Sequence, residues 1–559
     1  MKQVRAGVPE VLRRVPLALR ARERLGSWCG HRSRHRSAEI SPAVNALRQP
    51  DIEVRRVAMP PRSPDVENMR RATLWRATVV YRISLLAGLR TSGGLVALTV
   101  LLGGCGESSK MPESTGFGKN PQLPAPVKTL IPTVNIAPAK PWAAGQVPTA
   151  AAGTTVGLFA DKLDHPRWVY VLPNGDVLVA ETNAPDRPLR KELLGIKGWV
   201  MGVFMKRAGA ATPSANRITL LRDADGDGSA EFRSVFVANL NSPFGMALVG
   251  DELFIANTDA LVKVPYKEGE IRASGPVTVV AKLPGGPLNH HWTKGLIASA
   301  DGSRLYVSVG SNSNVAEHGM GHETGRAAIW EFDRASGSGR IFASGLRNPV
   351  GMAWQGDTLW TAVNERDELG SDLVPDYMTS VRDGAFYGWP YSYFGQNVDT
   401  RPKPPRPDLV ASAIRPDYAL GNHTASLGLA SAQGSSLGGP FAESGMFVGQ
   451  HGSWNRKPAS GYKVIYVPFT GAQPSGPPLD VLTGFLDSSG NALGRPVGVV
   501  IDRRGGLLVA DNVGNVIWRV EGPRRLVAPA IMPQTADSMP LAEPPASAPS
   551  QQPTASAPR

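Results

Sequence analysis

The chain has 559 residues, a formal net charge of +13 and two cysteines, Cys29 and Cys105. The excess charge is confined to residues 1–104, which hold 19 Lys and Arg against seven Asp and Glu, so the remaining residues are close to neutral. Binding to nucleic acid through counterion release requires basic groups on the folded part of a protein. This distribution therefore argues against a nucleic-acid partner.

The first 104 residues have the features of a removable leader. Residues 1–68 are rich in Arg, Pro and Ser without hydrophobic periodicity, and we predict an over-extended, disordered N-terminus with Met69 as the initiator. Residues 69–104 follow the order of a signal peptide: a basic stretch, a short apolar core at Gly94–Leu101, and a cleavage site. The apolar core is too short to span a membrane.

The cleavage site is the sequence Leu102-Gly103-Gly104-Cys105, which resembles a bacterial lipobox. This motif predicts cleavage before Cys105 and acylation of its sulfur. The protein is then expected to be exported to the periplasm, with the lipid anchor as its only membrane contact. Without a disulfide, the stability of the mature protein has to come from burial of apolar surface.

Two segments are too poor in large apolar residues to form a core. Residues 105–150 contain eight prolines among Ser, Gly and Ala, and we predict a semi-extended linker leading from the lipidated Cys105. Residues 527–559 consist mainly of Pro, Ala, Ser and Gln, and we predict a disordered tail.

Between these segments, residues 151–526 repeat one pattern: a short apolar run, a turn with Asp or Asn and Gly, and an alternating strand. Each copy is typical of a hairpin of two strands joined by a tight turn. The copies are Trp168–Glu181, Phe244–Ala256, Gly295–Ser308, Val350–Ala362 and Val497–Ala510, with a weak sixth in Ser444–Gln450 and Tyr462–Val467. Six copies predict an all-β fold, a six-bladed β-propeller around a central channel.

The innermost strand of each propeller blade starts at one mouth of the channel, so the residues just before each repeat converge there. These positions carry Arg167, Arg347 and Arg495, together with His290–Lys294 and, from the weak repeat, His451–Arg456. Guanidinium groups bind carboxylates in a bidentate manner, and indole rings stack on planar ligands. The mouth is therefore predicted to bind a flat ligand with several negative charges.

An ordered series of motifs in residues 155–522 resembles the sorbosone dehydrogenase group. The motifs are Pro166-Arg167, His291–Lys294, Gly345–Gly351, Asn364–Asp367, Leu373–Tyr377, Tyr387–Pro390, His451–Arg456 and Gly494–Gly498. This group is related to soluble glucose dehydrogenase and to the propeller domain of fungal pyranose dehydrogenase. The resemblance implies a quinoprotein that uses pyrroloquinoline quinone (PQQ), a planar tricarboxylate, and calcium.

The resemblance also implies roles for particular residues. His291 matches the family's catalytic base. An imidazole suits this role, since with a pKa near neutral it accepts a hydroxyl proton as hydride leaves the same carbon. The residues implied to bind the cofactor are Arg167, Arg347, Asn348, His451, Trp454, Arg456, Lys457 and Arg495. The loop Asn364–Asp367 matches a calcium loop, in which Arg366 and Asp367 ligate through main-chain carbonyls with Glu365 nearby.

Two further motifs suggest metals less directly. Asp223–Glu231 begins like a calcium loop but lacks its final Glu and flanking helices, and we interpret it as a hairpin turn, with structural calcium as the alternative. His318 and His322 have the spacing of metal ligands on a helix, but the glycines between them favour a loop over the mouth.

These features predict a PQQ- and calcium-dependent dehydrogenase that oxidises a sugar or a sugar-derived aldehyde. The chain has no Cys-x-x-Cys-His haem motif, so the electron acceptor, a quinone or a cytochrome, is expected to be a separate molecule. The alternatives are a calcium-dependent propeller lactonase, which the Arg-rich mouth disfavours, and a non-catalytic binding module. Substrate contacts are expected from the loops 184–216 and 396–430.

Overall fold

The computed structural model describes residues 106–129, 133–185, 206–442 and 444–523. The predicted leader with Cys105, and the predicted tail at 527–559, lie outside these residues. Within them, every helix is too short or too polar to cross a membrane.

Six antiparallel sheets form the blades of a β-propeller, which confirms the predicted fold. Strands are numbered in chain order, and three precede the first full blade: β1 Phe117–Gly118, β2 Thr149–Ala150 and β3 Thr155–Ala160. Blade 1 contains β4 Pro166–Val171, β5 Val177–Glu181, β6 Arg217–Arg222 and β7 Phe232–Val237. Blade 2 contains β8 Met246–Val249, β9 Glu252–Ala256, β10 Ala260–Pro265 and β11 Thr278–Lys282. Blade 3 contains β12 Leu296–Ala298, β13 Arg304–Val309, β14 Ala328–Asp333 and β15 Gly339–Ser344.

The other three blades carry additions to the four-strand pattern. Blade 4 contains β16 Pro349–Gln355, β17 Thr358–Val363, β18 Pro375–Ser380 and β21 Tyr418–Asn422, and β1 pairs with β21. Its long connection holds β19 Ser392–Tyr393, β20 Asn397–Val398 and the helix α1 Pro407–Ser412. Blade 5 contains β22 Ser426–Ser431, β23 Gly445–Gln450, β24 Lys463–Thr470, β25 Gln473–Pro474 and β26 Leu479–Thr483, extended by β2. Blade 6 contains β27 Pro496–Ile501, β28 Leu507–Asp511 and β29 Val516–Glu521. Short 3₁₀ turns occupy Glu113–Gly116, Met320–Glu323 and Gly439–Phe441.

The ring is closed by a strand from the start of the propeller. β3 pairs antiparallel with β29, from Ile517 opposite Ala160 to Glu521 opposite Thr155, and so completes blade 6. This pairing joins residues more than 350 positions apart and covers the edge of β29, so that β3 becomes the outer strand of blade 6.

The inner strands approach one another too closely for side chains at certain positions. A Cβ on Gly428 of β22 would lie 2.0 Å from the carbonyl oxygen of Val497 on β27, and one on Gly295 would lie 2.2 Å from that of Val350. The glycines that recur at the start of the repeats are therefore required by the packing around the channel. Blade 1 has Trp168 at the corresponding position, and this residue packs against Gly498.

The weak repeat was assigned to the wrong pair of strands. Its two halves form β23 and β24. The inner strand of blade 5 is β22, which lies outside all six predicted repeats. The sequence of β22, Ser-Leu-Gly-Leu-Ala-Ser, has few large residues, and a connection of 13 residues separates it from β23.

Residues 106–129 and 133–150, which fall in the predicted linker, are extended but are not free of the propeller. β1 and β2 add to blades 4 and 5. Between them the Trp142 indole donates to Asp511 at 2.9 Å and packs edge-on against Trp518. A chain with many prolines and few apolar residues can therefore still be held by backbone hydrogen bonds and single aromatic side chains.

Candidate active site

We call the end of the channel at which the inner strands β4, β8, β12, β16, β22 and β27 begin the mouth. Because adjacent strands are antiparallel, the second strand of each blade ends at the mouth as well. The loops before the first strand and after the second strand therefore both contribute side chains to it. The mouth residues predicted from the sequence come mainly from the first of these two sets.

Arg167 and Arg495 bring positive charge to the mouth without a carboxylate partner. Arg495 is 3% exposed, and its guanidinium donates to the carbonyls of Ala137 at 3.1 Å and His451 at 3.4 Å. Arg167 lies over the Trp292 ring at 5.5 Å, and burial lowers its pKa to about 10. The Nε atoms of both arginines are buried without a hydrogen-bond partner, and among the described residues neither forms an ion pair.

Two neutral histidines lie beside these arginines. The Asn512 side chain joins them, with its Oδ1 3.1 Å from Nε2 of His451 and its Nδ2 2.8 Å from Nε2 of His165. Burial lowers the pKa of His165 to about 3, aided by Arg167, and lowers the pKa of His451 well below its usual range, aided by Arg495. Both imidazoles are therefore neutral at physiological pH, and the positive charge here belongs to the guanidinium groups.

His291 lies at the start of blade 3 with one ring nitrogen fixed. Its Nδ1 is 2.9 Å from the carbonyl oxygen of Ser311 and 3.0 Å from the Ser311 hydroxyl. A carbonyl oxygen can accept a hydrogen bond but cannot donate one. Nδ1 of His291 therefore carries the hydrogen, and Nε2 is the basic atom. A Cβ on Gly310 would lie 2.3 Å from Oδ1 of Asn348 and 2.5 Å from Cβ of His291. Gly310 thus allows the side chains of His291 and Asn348 to lie side by side.

The guanidinium of Arg347, in contrast, already donates hydrogen bonds to acceptors in the neighbouring loops. Its guanidinium donates to the carbonyl of Glu365 at 2.5 Å, to Oδ1 of Asn314 at 3.0 Å and to Oδ2 of Asp367 at 3.1 Å. The other oxygen of Asp367 accepts from Asn455 at 2.7 Å. Arg347 therefore supports the loop next to Asn348, whose buried Oδ1 lacks a partner.

The loop predicted to bind calcium does not have the arrangement of a ligand set. The Asp367 carbonyl accepts from Asn314 at 3.1 Å and from Arg401 at 2.9 Å, which uses both of its lone pairs. The Glu365 carboxylate binds the Arg366 guanidinium at 2.9 Å, and Arg366 is fully buried. A dication placed here would face the guanidinium groups of Arg347 and Arg401, so the described contacts do not fit calcium.

The loop after β23 contributes less to the mouth than predicted. The Arg456 guanidinium donates to the carbonyls of Ser371 and Pro458 and to the Ser109 hydroxyl, and the Lys457 side chain is exposed. The Trp454 carbonyl accepts from the backbone amide of Asn135. Of the predicted cofactor residues in this loop, all of them in the described part of the chain, only His451 has a recorded contact with Arg495, one of the two arginines without a carboxylate partner.

A second buried network, absent from the sequence analysis, joins blades 4 and 5. Asp376 accepts from the backbone amides of Glu365 at 2.8 Å and Ser426 at 2.7 Å, and burial raises its pKa to about 6. His423 lies 3.6 Å from Asp367; burial lowers the pKa of His423, but the Asp367 carboxylate outweighs this effect and raises it overall. Asp367 is correspondingly held ionised.

Two residues that sequence reasoning missed lie after second strands. Asn512 directly follows β28, and Ser311 follows β13 after Gly310, at the same end as the predicted loop Asn364–Asp367 after β17. Reading the residues after each repeat, as well as those before it, would have identified them. Lys294 is a different case: it was included in the mouth, but it is fully buried and donates to the Trp292 carbonyl at 3.1 Å.

The two weaker metal motifs have different outcomes. Asp223–Glu231 connects β6 and β7, which confirms the hairpin turn. Its carboxylates converge, but Asp223 already accepts the backbone amides of Gly226 and Gly228. His318 and His322 flank the start of a 3₁₀ turn, and no described cluster of metal-ligating groups includes them.

Relatives of known sequence extend these observations. The chain is 27% identical over 299 residues to a pyrroloquinoline quinone-dependent pyranose dehydrogenase of Coprinopsis cinerea, a match that covers 42% of this chain and 40% of that enzyme. It is 26% identical over 296 residues to an uncharacterized protein of Borreliella burgdorferi, covering 50% of this chain and 76% of the relative.

Solved structures share the propeller fold. The PQQ domain of the Coprinopsis cinerea pyranose dehydrogenase superposes with a TM-score of 0.51 and 21% identity, covering 67% of this chain and 96% of the domain. A family AA12 enzyme of Trichoderma reesei superposes with a TM-score of 0.53 and 18% identity, covering 70% of this chain and all of that one. A family model described as TrAA12-like matches residues 214–383 and 408–522, just over half of the chain, which therefore belongs to the TrAA12-like family.

Proposed function

We propose that the protein is a PQQ-dependent dehydrogenase that oxidises a sugar at the mouth of the propeller. The observation that carries this proposal is the pair of guanidinium groups, Arg167 and Arg495, that reach the mouth with unsatisfied Nε atoms and without a carboxylate partner. A buried cation left unpaired is costly unless an anion completes the site. The PQQ dependence of the pyranose dehydrogenase relative supports this choice of anion.

The residues present fit a planar polycarboxylate. Arg167 and Arg495 offer donors to carboxylate groups, and the neutral His165 and His451 beside them add polar contacts without further charge. Arg167 already lies over the Trp292 ring, so this side of the mouth combines a cation with an aromatic face. When bound, PQQ supplies a quinone carbonyl carbon that accepts hydride from the substrate.

His291 acts as the general base. With Nδ1 donating to the Ser311 carbonyl at 2.9 Å, its Nε2 receives the proton of the sugar hydroxyl as the hydride leaves the same carbon. The sugar loses one hydride and one proton, so the separate acceptor has to take two electrons, and the two protons pass to a quinone as it becomes a quinol or, with a cytochrome, to water. Asn348 lies beside His291 with an unpartnered Oδ1 and is suited to orient a substrate hydroxyl.

Calcium has no assigned place in this proposal. In the loop Asn364–Asp367 the carbonyls of Glu365 and Asp367 already accept from Arg347, Asn314 and Arg401, so no step is derived through a metal there. The substrate class is a sugar; an aldehyde such as sorbosone is the finer alternative suggested by the sequence motifs.

The proposed location is the periplasmic side of a bacterial membrane, with acylated Cys105 as the anchor. This rests on the signal-peptide order of residues 69–104 and on the lipobox motif. A quinone or cytochrome acceptor is available at such a surface.

Reconstitution tests the function directly. The purified protein is titrated with PQQ, with and without added calcium, and dye reduction is measured with a panel of aldoses. We expect saturable PQQ binding and aldose-dependent reduction, and loss of reduction but not of PQQ binding in His291→Ala. Absence of both binding and reduction would contradict the proposed function, and full activity in His291→Ala would contradict only the assignment of the base.

A further inference from the structure

The first described residues of the chain are fixed to the mouth side of blade 4. Oε2 of Glu107 accepts the backbone amide of Ser371 at 2.6 Å, and the Glu107 carbonyl accepts the Ser371 hydroxyl at 2.8 Å. Ser371 belongs to the loop between β17 and β18, which lies at the mouth. A segment that directly follows the predicted lipid-bearing residue is thus held at the rim of the channel.

The loop after β23 in blade 5 provides a second clamp. The Ser109 hydroxyl donates to Asp372 at 2.5 Å and accepts from the Arg456 guanidinium at 2.8 Å, and its amide donates to the Lys457 carbonyl at 2.7 Å. Further along, the Asn135 side chain donates to the Arg456 carbonyl at 2.8 Å. The motif His451–Arg456, of which His451 belongs to the proposed cofactor site, therefore also holds the N-terminal segment in place through Arg456 and Trp454.

Three lysines project from this clamp. Lys110, Lys128 and Lys457 are exposed, and among the described residues none of them forms an ion pair. Lys110 and Lys457 are adjacent to the Ser109 contact, and Lys128 follows Val127, whose amide donates to the Leu369 carbonyl at 2.9 Å. The Asp372 charge is offset by the Arg456 guanidinium at 3.6 Å, and three lysines against Glu107 leave these residues with a net positive charge.

We propose that this clamp, with its three lysines, is a surface that rests on an anionic phospholipid bilayer, so that the mouth of the propeller faces the membrane. The inference rests on the proposed function and on acylation of Cys105. One residue, Gly106, separates Cys105 from Glu107, so the two Cα atoms are at most about 7 Å apart. Ammonium groups within a Debye length of anionic headgroups add attraction.

The clamp makes this geometry different from that of a flexible tether. A free linker of 45 residues would have a root-mean-square end-to-end distance of about 37 Å and would leave all faces of the propeller equally close to the bilayer. A clamped segment presents one face only. A lipid-dissolved acceptor then has access to the mouth.

Site-selective labelling tests the orientation. After the predicted cleavage the acylated Cys105 is the sole native cysteine, so a fluorophore can be attached to Thr400→Cys near the mouth of blade 4 or to Asp357→Cys in the turn at its far end. The lipidated protein is placed in phosphatidylcholine–phosphatidylglycerol vesicles that carry nickel-chelating lipid as a quencher. We expect quenching at position 400 to exceed that at position 357 severalfold. Equal quenching, or stronger quenching at position 357, overturns the proposal.

Charge variants separate the lysine surface from the anchor. In protein made without the anchor by Cys105→Ser, Lys110→Glu with Lys457→Glu should weaken partitioning onto phosphatidylglycerol vesicles by at least about 10-fold. The control Lys267→Glu with Arg272→Glu changes the charge equally on the exposed connection between β10 and β11, and should have little effect. Equal effects of the two pairs contradict a lysine-specific surface. Absence of acyl mass on Cys105 overturns the orientation, whereas dye reduction, which reports the proposed function, is unaffected.

Discussion

Arg495→Met separates the function of the mouth from its stability. In the protein without ligand, the substitution removes two hydrogen bonds to carbonyls, each worth about 0.5–1.5 kcal/mol. It also removes a buried guanidinium without a carboxylate partner, whose desolvation costs several kcal/mol. Methionine retains contact with the Tyr462 ring that now lies 4.7 Å from the guanidinium. We expect an unchanged free energy of unfolding or a gain of about 1–3 kcal/mol.

The same substitution should weaken PQQ binding. Loss of a charge-assisted hydrogen bond costs about 1.5–3 kcal/mol, which corresponds to an approximately 10- to 200-fold higher Kd. The assays are PQQ titration by fluorescence and thermal unfolding with and without PQQ. The variant should therefore gain less thermal stability from PQQ than the wild type does.

Arg222→Met is the matched control, because Arg222 forms a bidentate ion pair with buried Asp176 at 2.6 and 2.7 Å, at the end of blade 1 away from the mouth. Its loss leaves a buried carboxylate unpaired and should lower stability by about 3 kcal/mol without changing PQQ affinity. The reasoning is refuted if Arg495→Met is destabilised as much as Arg222→Met and binds PQQ normally.

Three further predictions concern the base, the blade junction and the channel packing. His291→Ala should lower kcat by about 10²- to 10⁴-fold with PQQ affinity retained, measured by dye reduction and titration. Burial raises the pKa of Asp376 from 3.8 to about 6, so its stabilising contribution is present below pH 3.8 and is lost as the pH rises through about 6. Asp376→Asn should flatten that part of the pH profile of unfolding, and should lower stability overall by about 1–3 kcal/mol because an amide accepts fewer hydrogen bonds. Gly428→Ala should destabilise by more than about 2 kcal/mol, because its Cβ would meet the Val497 carbonyl at 2.0 Å; Gly157→Ala, on β3 with no neighbouring atoms within 4 Å and no positive φ, tests the backbone effect alone.

The fold was predictable because each inner hairpin has its own pattern of alternating apolar residues and a tight turn. The pattern failed at β22, where small residues satisfy the close packing of the channel but give a weak apolar signal. The closing strand β3 was not predictable as part of blade 6, because pairing across more than 350 residues has no local signature.

For the site, residue type and strand position located Arg167, Arg495 and His291, but they did not show what each side chain binds. Arg347 and Arg495 both lie just before an inner strand, two residues and one residue from its start, yet Asp367, Asn314 and the Glu365 carbonyl hold the Arg347 guanidinium. Asp367 comes from a different strand end, so only the folded chain determines which arginine is left open. The same reasoning explains Arg456, whose partner Ser109 lies 347 positions earlier.

The distribution of partners makes the two sides of the mouth chemically different. At blades 6 and 1, Arg495 and Arg167 have donors without anions, and burial keeps the neighbouring His451 neutral, so this side attracts carboxylates. At blades 3 and 4, the charges of Arg347 and Asp367 cancel, and the imidazole of His291 lies beside Asn348, whose buried Oδ1 lacks a partner. On the proposed function, a planar polycarboxylate is therefore drawn to Arg495 and Arg167, and the proposed base His291 is next in sequence to Trp292, over which Arg167 lies. The substrate is expected to enter between them, which makes the polarity of the mouth, rather than any single arginine, the feature that orients the reaction.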